Sequence, residues 1–203
     1  KSFAIQFSAD GRDCYTNAYL HYDSSQSEDT RSLWATQLEA PILSEINIVK
    51  NHYNQKQEVI VQDENLNLYL ISTEGEILWK RKLQEAIHGG VKQIDLFKNK
   101  KLQLLFNTSS KIFLIDRKGR DVASYPIHLK RETDLPLSLF DYEKNRNYRI
   151  LVSCGKHHFM YNKHGELVKG WGLKETKSEA IHPAEHFVVA GKGYGRIRAL
   201  IDE

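Results

Sequence analysis

Short apolar runs recur along the chain with a long and nearly constant period. Three segments align without gaps over sixteen positions when each is anchored on a glycine, and these glycines are 44 and 46 residues apart. The anchors are Gly75, Gly119 and Gly165, and the aliphatic runs fifteen residues before them are centred on Ile60, Leu104 and Ile150. Runs of this length and composition predict buried strands.

A second predicted strand ends just before each glycine. It begins with an aromatic residue and covers Tyr69–Ile71, Phe113–Ile115 and Phe159–Tyr161. Three residues before the glycine stand Ser72, Asp116 and Asn162, whose side chains can hydrogen-bond the backbone two residues on. Glycine supplies the positive φ that a type I turn with a bulge requires. The segments that end on the three glycines are therefore predicted hairpin turns.

Two further apolar runs complete each unit. After the turn come an aliphatic residue at plus three and an aromatic at plus four or plus six, and those two aromatic positions share one strand face. The aromatics are Trp79, Tyr125 and Trp171, and the runs that precede each group are Ile46–Val49, Ile94–Phe97 and Leu137–Phe140. Four short antiparallel strands in about 45 residues are typical of propeller blades, in which the aromatic docks between blades.

The repeat predicts an all-β chain, a β-propeller or a partial propeller arc, over residues 1–203. The predicted blades are 1–38 (degenerate, with Trp34 as docking aromatic), 39–83, 84–129, 130–173 and 174–203. In the last, Phe187–Ala190 and Ile197–Asp202 read as the two central strands, and the expected turn glycine would come after Glu203. We interpret the chain as a fragment of a longer propeller, with a small ring of four or five blades as the alternative.

The segment Leu70–Trp79 resembles the repeat of the quinoprotein-dehydrogenase-like propellers (PQQ-like or WD40-like), which include many non-enzymatic bacterial proteins. Lys101–Asn107, Ile115–Gly119 and Asp141–Ile150 are also similar to bacterial envelope proteins that carry such a propeller. The resemblance implies the propeller fold, a longer chain and a periplasmic or cell-envelope location. Enzymes of that superfamily hold a quinone and a calcium ion, but the alanine and threonine beside the turn of their fuller repeat are missing here. The resemblance therefore points to the non-enzymatic branch.

Composition changes this picture little. The 203 residues include 29 Lys or Arg and 26 Asp or Glu, and the formal net charge of +3 does not by itself predict a nucleic-acid partner. The longest apolar runs have four or five residues, which excludes a membrane-spanning helix. Cys14 and Cys154 form no CxxC pair, so they leave the redox compartment undecided.

Motifs of catalysis and metal binding are absent from the sequence: there is no GxSxG, HExxH, phosphate loop or paired CxxC. The glycine-rich run Gly191–Gly195 lies between predicted strands and predicts a hairpin loop, because no helix follows to receive a phosphate. Five histidines fall in the last third, but Pro183 separates His182 from His186 and strand geometry keeps the others apart. We assign no catalytic residue, cofactor or metal.

The predicted loops lie at two opposite ends of the blades, and the basic residues concentrate at one of these ends. The loops that join strands one to two and three to four share a basic rim, composed of Lys98, Lys100, Lys101, Arg117, Lys118, Arg120, Lys144, Arg146 and Lys163. Such a rim is most simply interpreted as solvated surface; the sharper hypothesis is an anionic partner such as acidic protein, phospholipid or polyanionic glycan, bound in a salt-sensitive way. In the simpler interpretation these charged loops also blunt strand edges. Nucleic acid is disfavoured, because no exposed aromatics are predicted among these charges.

The opposite rim collects polar and amide side chains: Gln62, Asp63, Asn65, Asn107, Lys156, His157, Tyr194 and Arg196. Such loops suit ligand or protein recognition, and equally a wet surface with no partner. The sequence thus predicts a non-catalytic propeller scaffold for protein or ligand interaction, to which the remainder of its own chain also binds. The alternative is the propeller portion of a quinone- or carbohydrate-binding enzyme relative, with most of the site outside this chain.

Overall fold

The described part of the chain is all-β and contains no helix, as the sequence predicts. The structure is a computed structural model, and it describes residues 2–10, 13–21, 34–188 and 195–198. All of its strand pairs are antiparallel. Contacts divide the chain into two units, Lys1–Trp34 and Ala35–Glu203.

Within the first unit, the described residues 2–10 and 13–21 form a long hairpin. Strand β1 (Ser2–Asp10) pairs with β2 (Asp13–His21), with Ser2 opposite His21. Residues 34–38, the end of the predicted degenerate blade, form no strand, and residues 22–33 lie outside the described residues.

Three sheets follow one another along the second unit, and in each the strands pair in sequence order. The first sheet contains β3 (Asn47–Lys50), β4 (Gln57–Gln62), β5 (Asn67–Ile71) and β6 (Ile77–Lys82). The second contains β7 (His88–Ile94), β8 (Gln103–Asn107), β9 (Lys111–Ile115) and β10 (Ile127–His128). The third contains β11 (Ser138–Phe140), β12 (Arg149–Cys154) and β13 (His157–Asn162), and a hairpin of β14 (Glu185–Val188) and β15 (Gly195–Arg198) follows.

The three hairpin turns have one repeated structure. The backbone φ is 87° at Gly75, 77° at Gly119 and 84° at Gly165, a region that glycine adopts without a steric penalty. Each glycine N–H donates to the carbonyl three residues earlier, at 3.1, 2.9 and 3.0 Å respectively. The turn side chain caps the backbone as well, since the Asp116 carboxylate accepts the Lys118 N–H at 2.8 Å.

Alternating side chains allow the sheets to stack in sequence order. One cluster lies between the first and second sheets and includes Ile60, Leu70, Leu104, Phe106 and Phe113, with Phe106 and Phe113 stacked at 5.2 Å. The next lies between the second and third sheets and includes Leu105, Leu114, Ile150, Val152 and Tyr161. Because the second sheet buries both faces, its strands β8 and β9 are almost continuously apolar.

Two of the repeated aromatics lie on the turn of the following sheet. The Trp79 indole Nε1–H donates to the Arg117 carbonyl at 2.7 Å, and the Tyr125 hydroxyl donates to the Lys163 carbonyl at 3.2 Å. In both cases the acceptor is the second residue of the turn. Trp171 packs beside Met160 of the third sheet.

A second set of contacts follows the same register. Arg81, two residues after Trp79, donates to the Gly119 carbonyl at 2.9 Å. Thr36, two residues after Trp34, donates to the Gly75 carbonyl at 2.6 Å. Thr36 therefore contacts the hairpin turn of the first sheet as Arg81 contacts the hairpin turn of the second sheet.

The first strand of the second sheet differs from the prediction. The sequence predicts Ile94–Phe97, whereas β7 ends at Ile94. The reason is Asp95, whose carboxylate accepts the backbone N–H groups of Asn99 and Lys100 at 2.9 and 2.8 Å and so begins a loop.

The fourth strands of the second and third sheets are also shorter than predicted. After Gly119 there is a bridge between Asp121 and Ile115 and then the two-residue β10. After Gly165 there are two isolated bridges, Leu167 with Tyr161 and Glu175 with His157. Ala123 and Gly170 have φ values of 54° and 78°, which interrupt an extended strand. Pro126 also lacks the N–H that a ladder requires.

The position of β14 corrects the predicted register of the last unit. The first strand of the first sheet reaches the second sheet through Asn47, whose side chain accepts the Val91 N–H at 2.9 Å. Ser138 of the third sheet donates in turn to the Ala184 carbonyl at 2.6 Å, 46 residues ahead. This places β14 where a first strand belongs, not a central one. Residues 199–203 lie outside the described residues.

Candidate functional site

Two loops of the same construction carry much of the basic rim. We call residues 95–101 and 141–147 the twin loops; they join the first and second strands of the second and third sheets. In the second of them the Asp141 carboxylate accepts the N–H groups of Asn145 and Arg146 at 3.1 and 3.0 Å. The bonds to Asp95 are equivalent. A side chain near the middle of each loop, Asn99 or Asn145, then caps the N–H two residues on, at 3.0 and 2.9 Å.

Four basic residues of the twin loops have a left-handed backbone. The φ values are 57° at Lys98, 65° at Lys100, 52° at Lys144 and 62° at Arg146. For a residue with a Cβ this conformation is sparsely populated, and glycine or asparagine adopts it more readily. The Asp-centred hydrogen bonds hold the backbone in this shape.

Several predicted rim cations are committed to protein acceptors. Arg120 pairs with Asp116 at 2.6 Å, Arg146 with Asp95 at 3.0 Å, and the Lys163 ammonium lies 3.5 Å from the Leu96 carbonyl. Because Arg146 and Asp95 belong to different twin loops, their contact joins the two loops into one surface.

Arg117 joins two sheets rather than facing a partner. Its guanidinium pairs with the Glu58 carboxylate, with Nε at 3.1 Å, and the Glu58 residue is only 4% exposed. Asn51 also donates to Glu58, at 2.8 Å. A buried carboxylate needs such partners, so Arg117 has a structural role.

The remaining rim cations are all lysines. They are exposed and, within the described residues, form no ion pair: Lys98, Lys100, Lys101, Lys118 and Lys144. They contribute five exposed positive charges around the twin loops and the neighbouring turn, where Glu143 is an exposed acidic residue.

A groove of about 320 Å³ opens between the loops of the first and second sheets. Lys101, Arg117 and Lys118 line it, together with two aromatic side chains. Tyr53 is 69% exposed and Phe97 57% exposed. Exposed aromatics therefore do lie among the charges, contrary to the premise on which the sequence disfavoured nucleic acid.

His52 lies on the inner wall of this groove. Burial, with the charges of Arg117 and Lys101, lowers the pKa of its imidazole. The ring is thus neutral at pH 7, and its Nδ1 accepts the Leu102 N–H at 3.1 Å. That bond leaves the proton on Nε2.

Three residues of the predicted opposite rim are fully buried: Gln62, Asp63 and Asn107. The Gln62 side chain accepts the Ile87 N–H at 2.9 Å. The Asn107 side chain does the same for the Leu137 N–H at 2.8 Å. Each amide thereby fixes the linker that leads to the next sheet, and is not available to a partner.

Asp63 is likewise satisfied inside the fold. Burial opposes its ionisation, but hydrogen bonds from Asn67 and Tyr69 hold its pKa below the usual value. The carboxylate accepts the Asn67 N–H and the Tyr69 hydroxyl, both at 2.8 Å. This network stabilises the loop between β4 and β5, and because Asp63 is fully buried its carboxylate does not reach a ligand at the surface.

The other predicted residues of the opposite rim are dispersed. Asn65 and Lys156 are exposed, and His157 is half-buried at the start of β13. Arg196 belongs to β15, and Tyr194 lies outside the described residues. A recognition surface at this rim stays a prediction.

One buried trio has the residue types of nucleophilic catalysis. The His158 Nδ1 lies 2.9 Å from the Ser153 hydroxyl, and its Nε2 lies 3.0 Å from the Thr176 hydroxyl. Both Ser153 and His158 are buried, at 3% and 2% exposure, so no substrate reaches the hydroxyl. The third member is also a hydroxyl, not the carboxylate that stabilises an imidazolium. The trio is therefore structural.

His158 makes stability depend on pH. Burial, and secondarily His157, lowers the pKa of His158 below its ordinary 6.5. The unfolded chain therefore binds the proton more tightly than the folded one, and stability falls as the pH drops below about 6.5. The loss approaches about 1.4 kcal/mol for each unit between the folded and unfolded pKa values. Urea denaturation at pH 7.5 and pH 5 measures it.

The matched variants for this experiment are His158→Gln and His128→Gln. His128 is exposed, so its replacement keeps the full acid sensitivity of the natural protein. His158→Gln is less stable than the natural protein at pH 7.5. Its further loss of stability between pH 7.5 and pH 5 is smaller than that of the natural protein. Equal losses in all three proteins would show that His158 does not bind its proton differently on folding.

The described residues contain no cluster of three His, Cys, Asp or Glu side chains that could hold a metal ion. Nor do they form a helix long and apolar enough to cross a membrane. These residues define an all-β chain of stacked antiparallel sheets with a basic, lysine-rich rim. A search of family models and of curated proteins found no match to the sequence. The quinoprotein-like resemblance stays an expectation that the repeat itself carries.

Proposed function

We propose that the chain is a non-catalytic scaffold of the β-propeller type whose basic rim binds an extended polyanion. The observation that carries this proposal is the group of five exposed lysines without ion pairs on and beside the twin loops. Each of the two loops brings an exposed aromatic to the same rim, Phe97 or Tyr142.

Three features support the blade arrangement. The sheets follow in sequence order, they pack face to face, and the outermost segment of one sheet contacts the turn of the next through Trp79 or Tyr125. Radial repetition of small antiparallel sheets has this contact pattern. The second sheet, buried on both faces, behaves as an internal blade.

The choice of residue in the twin loops supports a role for their charge. Lys98, Lys100 and Lys144 adopt a conformation in which glycine or asparagine would cost less. The turn alone therefore does not explain the lysines. A charge needed at the surface explains them, because each loop directs its lysines to solvent while Asp95 or Asp141 stabilises the backbone.

The distribution of the lysines favours an extended ligand over a compact one. They come from two loops and one turn of successive sheets, which the Arg146–Asp95 pair and the groove beside Lys101 and Lys118 connect. A polyanion with regularly spaced charges can contact several of them at once. Such binding is largely electrostatic, so added salt weakens it. Salt at about 0.1 M largely screens charges that are more than about 10 Å apart.

A triple variant tests this function. Changing Lys98, Lys100 and Lys101 to glutamine weakens binding of a fluorescent heparin-derived octasaccharide about tenfold or more at low salt, because rim charges drive the association. Fluorescence anisotropy gives the Kd. Since all three side chains are exposed, the melting temperature stays close to that of the natural protein.

The matched control changes Lys169, Lys174 and Lys177, which are exposed and lie outside the basic rim, to glutamine. It removes the same formal charge and retains the affinity. If both triple variants lose affinity equally, net charge and not the rim governs binding. Kd values for poly-glutamate, anionic vesicles and a single-stranded oligonucleotide then show which class of polyanion binds most tightly.

A further inference from the structure

Trp171 is the docking aromatic of the third sheet. Unlike Trp79 and Tyr125, it donates no hydrogen bond to a described residue. The indole Nε1 is buried and has no acceptor among the described residues. At the two earlier positions the side-chain donor reaches the carbonyl of the second turn residue of the next sheet, Arg117 or Lys163. The third donor is therefore placed for an acceptor of the same kind.

The face around Trp171 continues the stacking series. Trp171 and Val168 pack with Phe140, Leu151 and Met160, on the side of the third sheet away from the second. Residues that alternate with these, such as Ile150 and Val152, belong to the cluster with the second sheet. In the first two sheets the corresponding face is covered by the following sheet.

The following hairpin supplies only the beginning of a covering sheet. Ala184, just before β14, accepts the Ser138 hydroxyl in the position of a first strand, and β15 pairs with β14 as a second strand does. In the completed sheets the turn that carries the acceptor comes after the third strand. Among the described residues, none follows β15 to provide that turn.

The geometry at Trp79 shows what kind of turn can accept such a side-chain donor. A Cβ placed on Gly119 would lie 3.0 Å from the Trp79 indole carbon Cδ2, and the glycine φ is +77°. Only glycine combines that backbone with so close an approach to the ring. The Asp116 side chain caps the same turn, so the docking element is an Asx-x-x-Gly turn.

We infer that the Trp171 face binds the Asx-x-x-Gly hairpin turn of a further repeat. The carbonyl of the second turn residue accepts the Trp171 indole N–H, as the Lys163 carbonyl does for Tyr125 at the same register, and the turn glycine packs against the third sheet. This interaction is separate from polyanion binding at the basic rim and extends the stack of sheets by one.

Indole N–H resonances provide the test. The probe is a cyclised hairpin peptide with the sequence of residues 111–122, which contains the turn that Trp79 binds, added to the 203-residue protein labelled with ¹⁵N. We expect the Trp171 indole N–H to shift downfield and to exchange with solvent about tenfold more slowly, as one added hydrogen bond allows. The Trp79 resonance stays unchanged because its acceptor is already present.

A matched peptide carries Gly119→Val, which cannot adopt the turn, and leaves Trp171 unaffected. To guard against a poorly folded peptide, a second protein carries the same hairpin behind a flexible glycine-serine linker after Glu203, where the effective concentration reaches about millimolar. Absence of Trp171 protection in both formats overturns the inference.

Two other results would also overturn it. If the Trp171 indole N–H exchanges as slowly as that of Trp79 in the protein alone, an acceptor within the 203 residues already fills the site. If its protection instead disappears on dilution, a second copy of the chain is the occupant. Trp171→Phe identifies the resonance in each experiment.

Discussion

Replacing Trp79 by alanine is expected to lower the free energy of unfolding by about 3–5 kcal/mol. The indole packs in the cluster between the first and second sheets, lies against Gly119, and donates its N–H to the Arg117 carbonyl. Removing it leaves a cavity at the boundary of two sheets and an unpaired carbonyl. Urea denaturation followed by circular dichroism measures the loss.

Two controls separate packing from other effects. Trp79→Phe keeps most of the ring volume but loses the hydrogen bond, which by itself costs about 1 kcal/mol. Tyr53→Ala removes an aromatic that is 69% exposed, and leaves stability nearly unchanged. A loss below about 1 kcal/mol for Trp79→Ala would contradict the packing of the two sheets through this residue.

Arg117→Met is expected to cost about 3 kcal/mol, although a charged rim residue seldom contributes to stability. The variant leaves the Glu58 carboxylate, 4% exposed, without its guanidinium partner. Removing one member of a buried pair is far more harmful than removing both. Chemical denaturation at pH 7 checks the loss.

Adding Glu58→Gln to Arg117→Met restores part of the stability, because no uncompensated charge is then buried. Arg120→Met is the matched control in the same turn, since its pair with Asp116 is exposed, and it has little effect. Were Arg117→Met and Arg120→Met equally mild, Glu58 would have to be accessible to water, and the contact between the two sheets would be wrong.

The parts of the fold that depend on local chemistry could be predicted from the sequence. The turns at Gly75, Gly119 and Gly165 need a residue at positive φ and a capping side chain three positions earlier, and both requirements are visible in the residues themselves. The central strands could be predicted equally well, because apolar runs centred on Ile60 or Leu104 suit a sheet buried on both faces.

The strand ends could not be predicted as well, because polar side chains compete with the ladder. Asp95 ends β7 by capping the backbone of its own loop, where the apolar pattern alone continues to Phe97. Ala123, at positive φ, and Pro126, which has no backbone N–H, shorten the fourth strand of the second sheet for a different local reason.

The sites required knowledge of the neighbouring sheet. Gln62 and Asn107 look like loop amides in the sequence, but the linker of the next sheet folds over them and uses their hydrogen bonds. Arg117 looks like a rim cation until Glu58 of the preceding sheet is placed beside it. Burial of a polar side chain by residues about 25 to 60 positions away leaves no local signal.

The salt dependence of polyanion binding tests the central claim most directly. We predict that log Kd for the heparin-derived octasaccharide rises linearly with log salt, with a slope of about 3 or more, because each neutralised ligand charge contributes nearly one. The triple variant at Lys98, Lys100 and Lys101 lowers that slope by about 2, whereas the control at Lys169, Lys174 and Lys177 leaves it unchanged. No binding at about 50 mM salt, or one slope for all three proteins, would contradict the account.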